Sequence, residues 1–115
     1  VFFSSAASEI GLKNHEAIAA AKGGMTAMLK AAAATYAKQN IRINTIAAGL
    51  VDTPLAKRIT ENEGARKASE SMHPVGRIGS PEDVVPMALQ LLDPSNTWMT
   101  GSVVRVDGGL ANLSL

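Results

Sequence analysis

The sequence predicts an α/β fold with a parallel sheet, because β-prone segments and helical patterns alternate along the chain. Parallel strands need crossover connections of this kind. Of the 115 residues, 46% are hydrophobic and only 3% are aromatic, which predicts a core of aliphatic side chains. About three strands are expected, and both faces of such a sheet need helices. We therefore expect this chain to form part of a larger, doubly wound domain.

The first strand and the longest helix are predicted in the first third of the chain. Residues 1–5 are apolar and end in two serines, which predicts a short buried strand. Residues 16–39 are rich in alanine and free of proline, which predicts a helix that stops at Asn40. Gly23 and Gly24 would weaken an isolated helix by roughly 1 kcal/mol each. We therefore expect a backbone or a ligand to approach closely there.

Two further strands are predicted after this helix. Residues 41–47 alternate apolar and polar side chains, as a half-buried strand does. Residues 102–106 are β-prone and are followed by Asp107-Gly108-Gly109, which predicts a structural turn.

Shorter helices are predicted between these two strands. Thr53 before Pro54 predicts a helix that begins at a threonine cap and runs to about residue 60. Residues 62–72 are polar and predict a mobile helix, and residues 73–79 predict a loop. Ser80-Pro81-Glu82-Asp83 is a strong helix start, since a hydroxyl cap is followed by proline and by two acids. That helix should run to about residue 92.

Charge and cysteine content exclude several classes of function. The net charge is +1, from 11 basic and 10 acidic residues without a basic stripe, which argues against a nucleic-acid partner. Cysteine is absent, which is compatible with a cytoplasmic location. With two histidines and no cysteine, we expect no metal site. We also expect no membrane span. The chain begins inside an apolar strand without a methionine, so we expect a segment upstream of it.

Six motifs occur in order along nearly the whole chain. They are Phe2-Phe3-Ser4-Ser5, Ala20-Ala21-Lys22-Gly23-Gly24-Met25, Gln39-Asn40-Ile41-Arg42-Ile43-Asn44, Ala48-Gly49-Leu50-Val51-Asp52-Thr53-Pro54, Gly76-Arg77-Ile78-Gly79-Ser80-Pro81-Glu82-Asp83-Val84, and Thr100-Gly101 with Val106-Asp107-Gly108-Gly109. Together they resemble the C-terminal half of the short-chain dehydrogenase/reductase family. The resemblance implies a Rossmann-like fold that transfers hydride between NAD or NADP and a small-molecule alcohol or carbonyl. It also implies that residues 1–115 are the C-terminal part of one NAD(P)-binding domain, whose phosphate-binding loop is not in this chain.

The resemblance assigns catalytic roles to Ser5 and Lys22. Ser5 occupies the position that hydrogen-bonds the substrate oxygen in the family. Lys22 occupies the position that binds the nicotinamide ribose and lowers the pKa of the family's catalytic tyrosine. That tyrosine belongs thirteen residues after Ser5 and four before Lys22, and the residue there is Ile18. An isoleucine has no proton to give, so the resemblance predicts an atypical or impaired proton-transfer site.

The resemblance also assigns a cofactor-binding loop. Thr53, four residues after Gly49, matches the threonine that contacts the nicotinamide carboxamide. Gly49 is assigned to cofactor binding in the same loop, and Leu50 and Val51 would line the same pocket through their backbone. Residues 62–72 fall where the family carries its substrate lid, although they show no substrate signature.

Two interpretations of His15 are open, and on the first it replaces the missing tyrosine as the proton donor. If the helix begins early enough, positions 15, 18 and 22 share one face, and an imidazole titrates in a suitable range. On the other interpretation, which we favour, His15 is a solvent-facing residue at the start of the helix.

Two functions remain open from the sequence. The first is an NAD(P)-dependent oxidoreductase with an altered proton-transfer position. The second is a catalytically silent paralogue, or a truncated product, that serves nucleotide binding or subunit assembly. In the family the helix over residues 16–39 would pack against a partner subunit, so we expect a homo-oligomer.

Overall fold

The structure, a computed structural model, describes residues 1–113 and is built on a three-stranded parallel sheet. The register pairs Ser5 with Ala48 and Ala48 with Val106, so that the three strands end at the same edge. This confirms the predicted α/β class and its parallel strands. In order across the sheet the strands are β1 (Phe2–Ser5), β2 (Thr45–Ala48) and β3 (Val103–Val106).

Helices connect the strands. The first crossover, from β1 to β2, contains one long helix, and the second contains three shorter ones. Among the described residues, no helix is both long enough and apolar enough to cross a membrane. The α-helices are α1 (Glu16–Tyr36), α2 (Lys57–Thr60), α3 (Glu63–Met72) and α4 (Pro81–Leu92).

The core lies where α4 packs against the sheet. Ile46 of β2 is fully buried, and it forms one cluster with Val84 and Leu91 of α4. Val84 and Leu91 are seven residues apart, which is about two helical turns, so they lie on one face of α4. This cluster fixes the position of β2 and therefore of the loop that follows it.

The predicted helix over residues 16–39 is α-helical to Tyr36 and tightens into a 3-10 turn over Ala37–Gln39. Asn40 ends it in the left-handed conformation with a φ of 58°, as the prediction of a stop there required. Of the two alternatives expected at the glycines, the close approach of a backbone is wrong for the described residues, and that of a ligand stays a prediction. A Cβ at Gly23 would only touch Ser8 at 3.9 Å, and a Cβ at Gly24 would meet no described atom within 4 Å.

The predicted strand over residues 41–47 is shorter in the structure, because its first polar side chains hold a loop. Arg42 donates hydrogen bonds to the carbonyls of Leu91 and Met99 at 3.0 and 3.3 Å. Asn44, which is buried, donates to the Met99 carbonyl at 2.8 Å. These bonds attach residues 42–44 to the end of α4 and to the loop before β3. The polar side chains in the alternating pattern therefore anchor a loop and do not belong to a strand.

Candidate functional site

The carboxyl ends of β1 and β2 open onto a cavity of about 540 Å³. Ligands of open α/β sheets bind outside the carboxyl ends of the strands, and this cavity lies there. Its walls come from the end of β1, the start of α1, the loop after β2, and α3. They are formed by Ser5, Ala7, Leu12, His15, Ile18, Ala48, Gly49, Leu50, Ile59, Ala65, Ala68, Ser69, Met72, His73 and Leu110.

The two serines at the end of β1 have different surroundings. Ser4 is buried, and its hydroxyl donates to the Lys22 carbonyl at 3.2 Å and lies 2.9 Å from the Thr26 hydroxyl. Ser5 lies in the cavity wall, and its Oγ accepts a hydrogen bond from the Ala7 N–H at 3.2 Å. An Oγ that accepts can still donate its own proton to a ligand. Ser5 therefore has the position and the free donor that a substrate-binding hydroxyl requires, whereas Ser4 joins β1 to α1.

Ile18 and His15 both lie in the wall of the same cavity. Ile18 is 40% exposed and offers only carbon to the cavity. The Nδ1 of His15 lies 2.9 Å from the Lys13 carbonyl. Because a carbonyl only accepts, Nδ1 carries the hydrogen, and Nε2 is left to accept or donate a proton. The structure thus places His15 both at the start of α1 and in the cavity wall, so its position is compatible with either interpretation.

Lys22 lies one turn further along α1 and bonds to β1. Its Nζ donates to the Phe3 carbonyl at 2.8 Å. An ammonium group has three N–H donors, so two remain for other acceptors. Lys22 is absent from the cavity wall among residues 1–113. Positions 15, 18 and 22 therefore do not all face the cavity as predicted: His15 and Ile18 line it, and Lys22 bonds to β1.

The loop after β2 contains the four residues that the resemblance assigned to cofactor binding, Gly49, Leu50, Val51 and Thr53. Of these, Gly49 and Leu50 lie in the wall of the cavity at the strand ends, whereas Val51 and Thr53 line two other depressions. The Leu50 carbonyl accepts from the Gly79 N–H at 2.8 Å, and the Leu50 N–H donates to His73 Nε2 at 3.2 Å. Within the described residues, the Val51 N–H has no hydrogen-bond partner. Thr53 begins the next helical turn, but its hydroxyl lies 3.4 Å from the Val51 carbonyl and makes no capping bond. Thr53 therefore is the N-cap residue, as predicted, but its side chain makes no capping bond.

Helix α3 is attached to this loop at two points. Arg66 forms an ion pair with Asp52 at 3.0 Å, and the pKa of Arg66 is raised by its hydrogen bond to Asp52 and then by Glu70. At the other end of the helix, His73 bonds to Leu50. Asn62 starts α3 by accepting from the Ala65 N–H at 2.9 Å. The predicted polar helix over residues 62–72 is confirmed as a helix, and it covers one side of the cavity.

A smaller cavity of about 200 Å³ lies on the other side of the loop. Arg77 and Asp83 lie in its wall and form a two-pronged pair at 2.7 and 2.8 Å. The Arg77 guanidinium, with the Ser80 N–H, holds the pKa of the Asp83 carboxyl well below its usual range. This pair flanks Gly79, which bonds to the loop after β2. It therefore supports the loop from outside the larger cavity.

Sequence reasoning missed the role of His73. The residue was assigned to a loop, and it does follow α3, but it is only 4% exposed and bonds to two other segments. Nothing in the pattern around His73-Pro74 distinguishes a buried histidine from an exposed one. The sequence contains two histidines, and their number alone does not show which of them is buried.

Comparisons with known proteins agree with this architecture. A family model described as enoyl-(acyl carrier protein) reductase matches residues 1–111. A cyclohexanol dehydrogenase of Acinetobacter sp. (strain SE19) is 40% identical over 104 residues, which are 90% of this chain and 39% of that protein. The 3-oxoacyl-[acyl-carrier-protein] reductase FabG of Thermotoga maritima is 39% identical over 92 residues, which are 80% of this chain and 37% of that protein.

A solved structure is also similar. The Pseudomonas aeruginosa RhlG/NADP active-site complex superposes with a TM-score of 0.87 at 26% identity, covering 96% of this chain and 44% of that one. The chain thus spans about two fifths of the length of the curated relatives it matches.

Proposed function

Because this chain belongs to the short-chain dehydrogenase/reductase family, we propose that it is the C-terminal part of an NAD(P)-dependent oxidoreductase. The reaction is hydride transfer between an alcohol and a carbonyl. In this proposal residues 1–115 complete a single Rossmann-like domain, and the phosphate-binding loop lies outside them. The absence of cysteine supports a cytoplasmic location.

One observation carries the proposal. Ser5 and Ile18, thirteen residues apart in the sequence, lie in the wall of one cavity at the carboxyl ends of β1 and β2. A serine hydroxyl there can donate to a carbonyl oxygen and stabilise the negative charge that develops on it during reduction. The buried bonds of Ser4 support giving this role to Ser5.

The residues at this edge of the sheet fit the nicotinamide half of a dinucleotide. Lys22 has two N–H donors to offer to ribose hydroxyls, and the Val51 N–H and the Thr53 hydroxyl can bind a carboxamide. When bound, NAD or NADP supplies or accepts the hydride. The NADP in the similar RhlG complex supports this assignment.

Proton transfer is the altered step. Carbonyl reduction requires a proton for the product oxygen, and Ile18 has none to give. The loss of a general acid typically lowers the rate by about 10²- to 10⁴-fold. We propose that His15 takes over part of this role, since its Nδ1 is held by the Lys13 carbonyl and its Nε2 is left to exchange a proton. Lys22 then serves binding alone.

The cavity wall favours a neutral, largely apolar substrate. Among the described residues its lining contains no lysine, arginine, aspartate or glutamate. Only Ser5, Ser69 and the two histidines bring polar side-chain atoms to it. A carboxylate or phosphate on the substrate would lose its hydration here without gaining a counter-charge. The resemblance to a cyclohexanol dehydrogenase supports the same substrate class.

The second candidate is a protein that binds the nucleotide or assembles subunits without turnover. Ile18 is the observation that favours it. A homo-oligomer fits either candidate. Within the described residues, α1 buries only Leu29 and Ala33 and leaves Met28 and Tyr36 60% and 42% exposed. We propose that a second copy of the chain covers this surface.

The test uses the complete gene product that contains this sequence. We expect slow oxidation of NADH or NADPH with neutral cyclic ketones and much slower oxidation with 2-oxo acids. Ser5→Ala should lower kcat about 10²-fold, because a donor to the developing oxyanion is lost. Ser4→Ala is the matched control, and it should lower stability while leaving kcat near that of the parent. Dinucleotide binding without turnover of any carbonyl would support the second candidate instead.

A further inference from the structure

His73 joins α3 to the loop after β2 through both of its ring nitrogens. Nδ1 lies 2.7 Å from the Ser69 carbonyl, and Nε2 lies 3.2 Å from the Leu50 nitrogen. The side chain is buried, with 4% of its surface exposed. Its two bonds therefore connect elements that are 23 residues apart in the chain.

The two partners define the form of the ring. The Ser69 carbonyl can only accept, so Nδ1 carries a hydrogen. The Leu50 N–H can only donate, so Nε2 is bare. The ring is therefore neutral, with its hydrogen on Nδ1. A side chain without an acceptor at the Nε2 position would leave the Leu50 N–H without this bond.

The ring lies close to the backbone at position 49. A Cβ at position 49 would lie 2.7 Å from His73 Nε2 and 3.0 Å from the Asp107 Cα. A Cβ at position 108 would lie 3.6 Å from the ring's Cδ2. Gly49 therefore allows the imidazole to reach the backbone of the loop. The ring also forms part of the wall of both cavities.

We infer that His73 is a positioning residue, which holds the Leu50–Val51 segment in the orientation that binds the dinucleotide and connects it to α3. This inference rests on the proposed function, because it assigns the Val51 N–H to the cofactor. Leu50 is the residue next to it, and its N–H and carbonyl are both held, by His73 and Gly79. With the His73 bond lost, the Leu50 N–H has no anchor, and the next peptide, which carries the Val51 N–H, is held only by the Gly79 bond to its Leu50 carbonyl. His73 itself need not touch the cofactor.

Two amide substitutions separate positioning from packing. A glutamine carries its amide at about the reach of Nε2, and an asparagine carries it at about the reach of Nδ1. His73→Gln should restore the acceptor for Leu50, whereas His73→Asn should restore only a bond near Ser69. Both are neutral, polar and smaller than the imidazole ring. A purely structural role would make their effects on cofactor binding alike.

The first readout is NADPH and NADH affinity of the complete gene product, measured by fluorescence titration without substrate. We expect His73→Gln to bind within about threefold of the parent and His73→Asn to bind about tenfold more weakly. Equal affinity of parent and His73→Asn, with measurable binding, would overturn the inference and leave the proposed function intact. If the parent binds neither nucleotide, the proposed function fails and this inference fails with it.

The second readout does not depend on cofactor. Nitrogen-15 NMR of the parent should show a neutral His73 ring protonated at Nδ1, and the Leu50 amide should be protected from hydrogen exchange. That protection should persist in His73→Gln and fall about tenfold in His73→Asn. A ring protonated at Nε2, or a Leu50 amide that exchanges equally fast in all three proteins, would contradict the assignment.

Discussion

The carboxyl ends of β1 and β2 lie side by side in the sheet, yet they are built in different ways. At the end of β1, side chains form the site: Ser5, Ile18 and His15 lie in the wall of one cavity and differ in which protons they can donate. At the end of β2, backbone groups form the site. The Leu50 N–H donates to the His73 ring and the Leu50 carbonyl accepts from the Gly79 N–H, and Gly49 leaves the space for the histidine.

Because of this difference, we expect the two strand ends to respond differently to substitution. A substitution at the end of β1 alters which proton or hydroxyl faces the substrate and leaves the fold in place. A substitution at the end of β2 alters the position of a backbone that several segments support. Ile18 illustrates the first kind, since the fold accommodates an isoleucine at the position that we propose for proton transfer. We therefore expect activity effects at one end and stability effects at the other.

The largest effect should come from the proton-transfer candidate at the end of β1. His15→Gln keeps a polar side chain but cannot exchange a proton, so we expect kcat for carbonyl reduction to fall about 10²-fold. The KM for the dinucleotide should stay near that of the parent, because His15 is not among the proposed cofactor ligands. Steady-state kinetics on the complete gene product measures both. An unchanged kcat would remove His15 from the mechanism.

A smaller effect is expected from a methyl group added at the end of β2. Gly49→Ala would place a Cβ 2.7 Å from His73 Nε2 and 3.0 Å from the Asp107 backbone, so something must shift. We expect a loss of about 2 kcal/mol in the free energy of unfolding, measured by urea denaturation.

Gly24→Ala is the matched control on α1, because its Cβ would meet no described atom within 4 Å. It should instead raise the free energy of unfolding by about 0.5 to 1 kcal/mol, since alanine favours a helix interior. If the two variants were equally stable, the contrast between the two regions would be wrong.

The smallest effect should come from the pair that supports the β2 loop from outside. Arg77 lowers the pKa of Asp83 in the folded state. The pair therefore contributes its full stabilisation of the fold at pH values above the ordinary aspartate pKa of about 3.9. That contribution is lost as the pH falls through the lower folded-state pKa. Asp83→Asn should therefore lower Tm slightly at pH 6, and the difference should shrink as the pH falls from about 4 to 2. The effect is small because both side chains are partly exposed. A Tm difference that grew on acidification would contradict the stabilising role of the Arg77–Asp83 pair.

Much of the fold could be predicted from the sequence because its signals are local. The alanine-rich run and Asn40 defined α1, and Ser80-Pro81-Glu82-Asp83 defined the start of α4. The resemblance placed the catalytic serine at Ser5, and the structure buries the neighbouring Ser4. These predictions depend on residues near each other in the chain.

The rest depends on contacts between distant segments, which no local pattern contains. Residues 41–44 looked like a strand, but Arg42 and Asn44 bond to a loop more than 50 residues away. The sequence predicts a loop residue at His73, but the structure places it between Leu50 and Ser69, each of which bonds to one of its ring nitrogens. Gly24 remains unexplained by anything in the described structure.

The central claim is that Ile18 occupies the proton-donor position of a working reduction site. The most direct test compares Ile18→Tyr with Ile18→Phe in the complete gene product, since the two differ only in a phenolic hydroxyl. We predict that the tyrosine variant reduces a neutral ketone about 10²- to 10⁴-fold faster than the phenylalanine variant. Equal rates for the two variants would show that position 18 does not face the reacting oxygen, and the proposed site would be wrong.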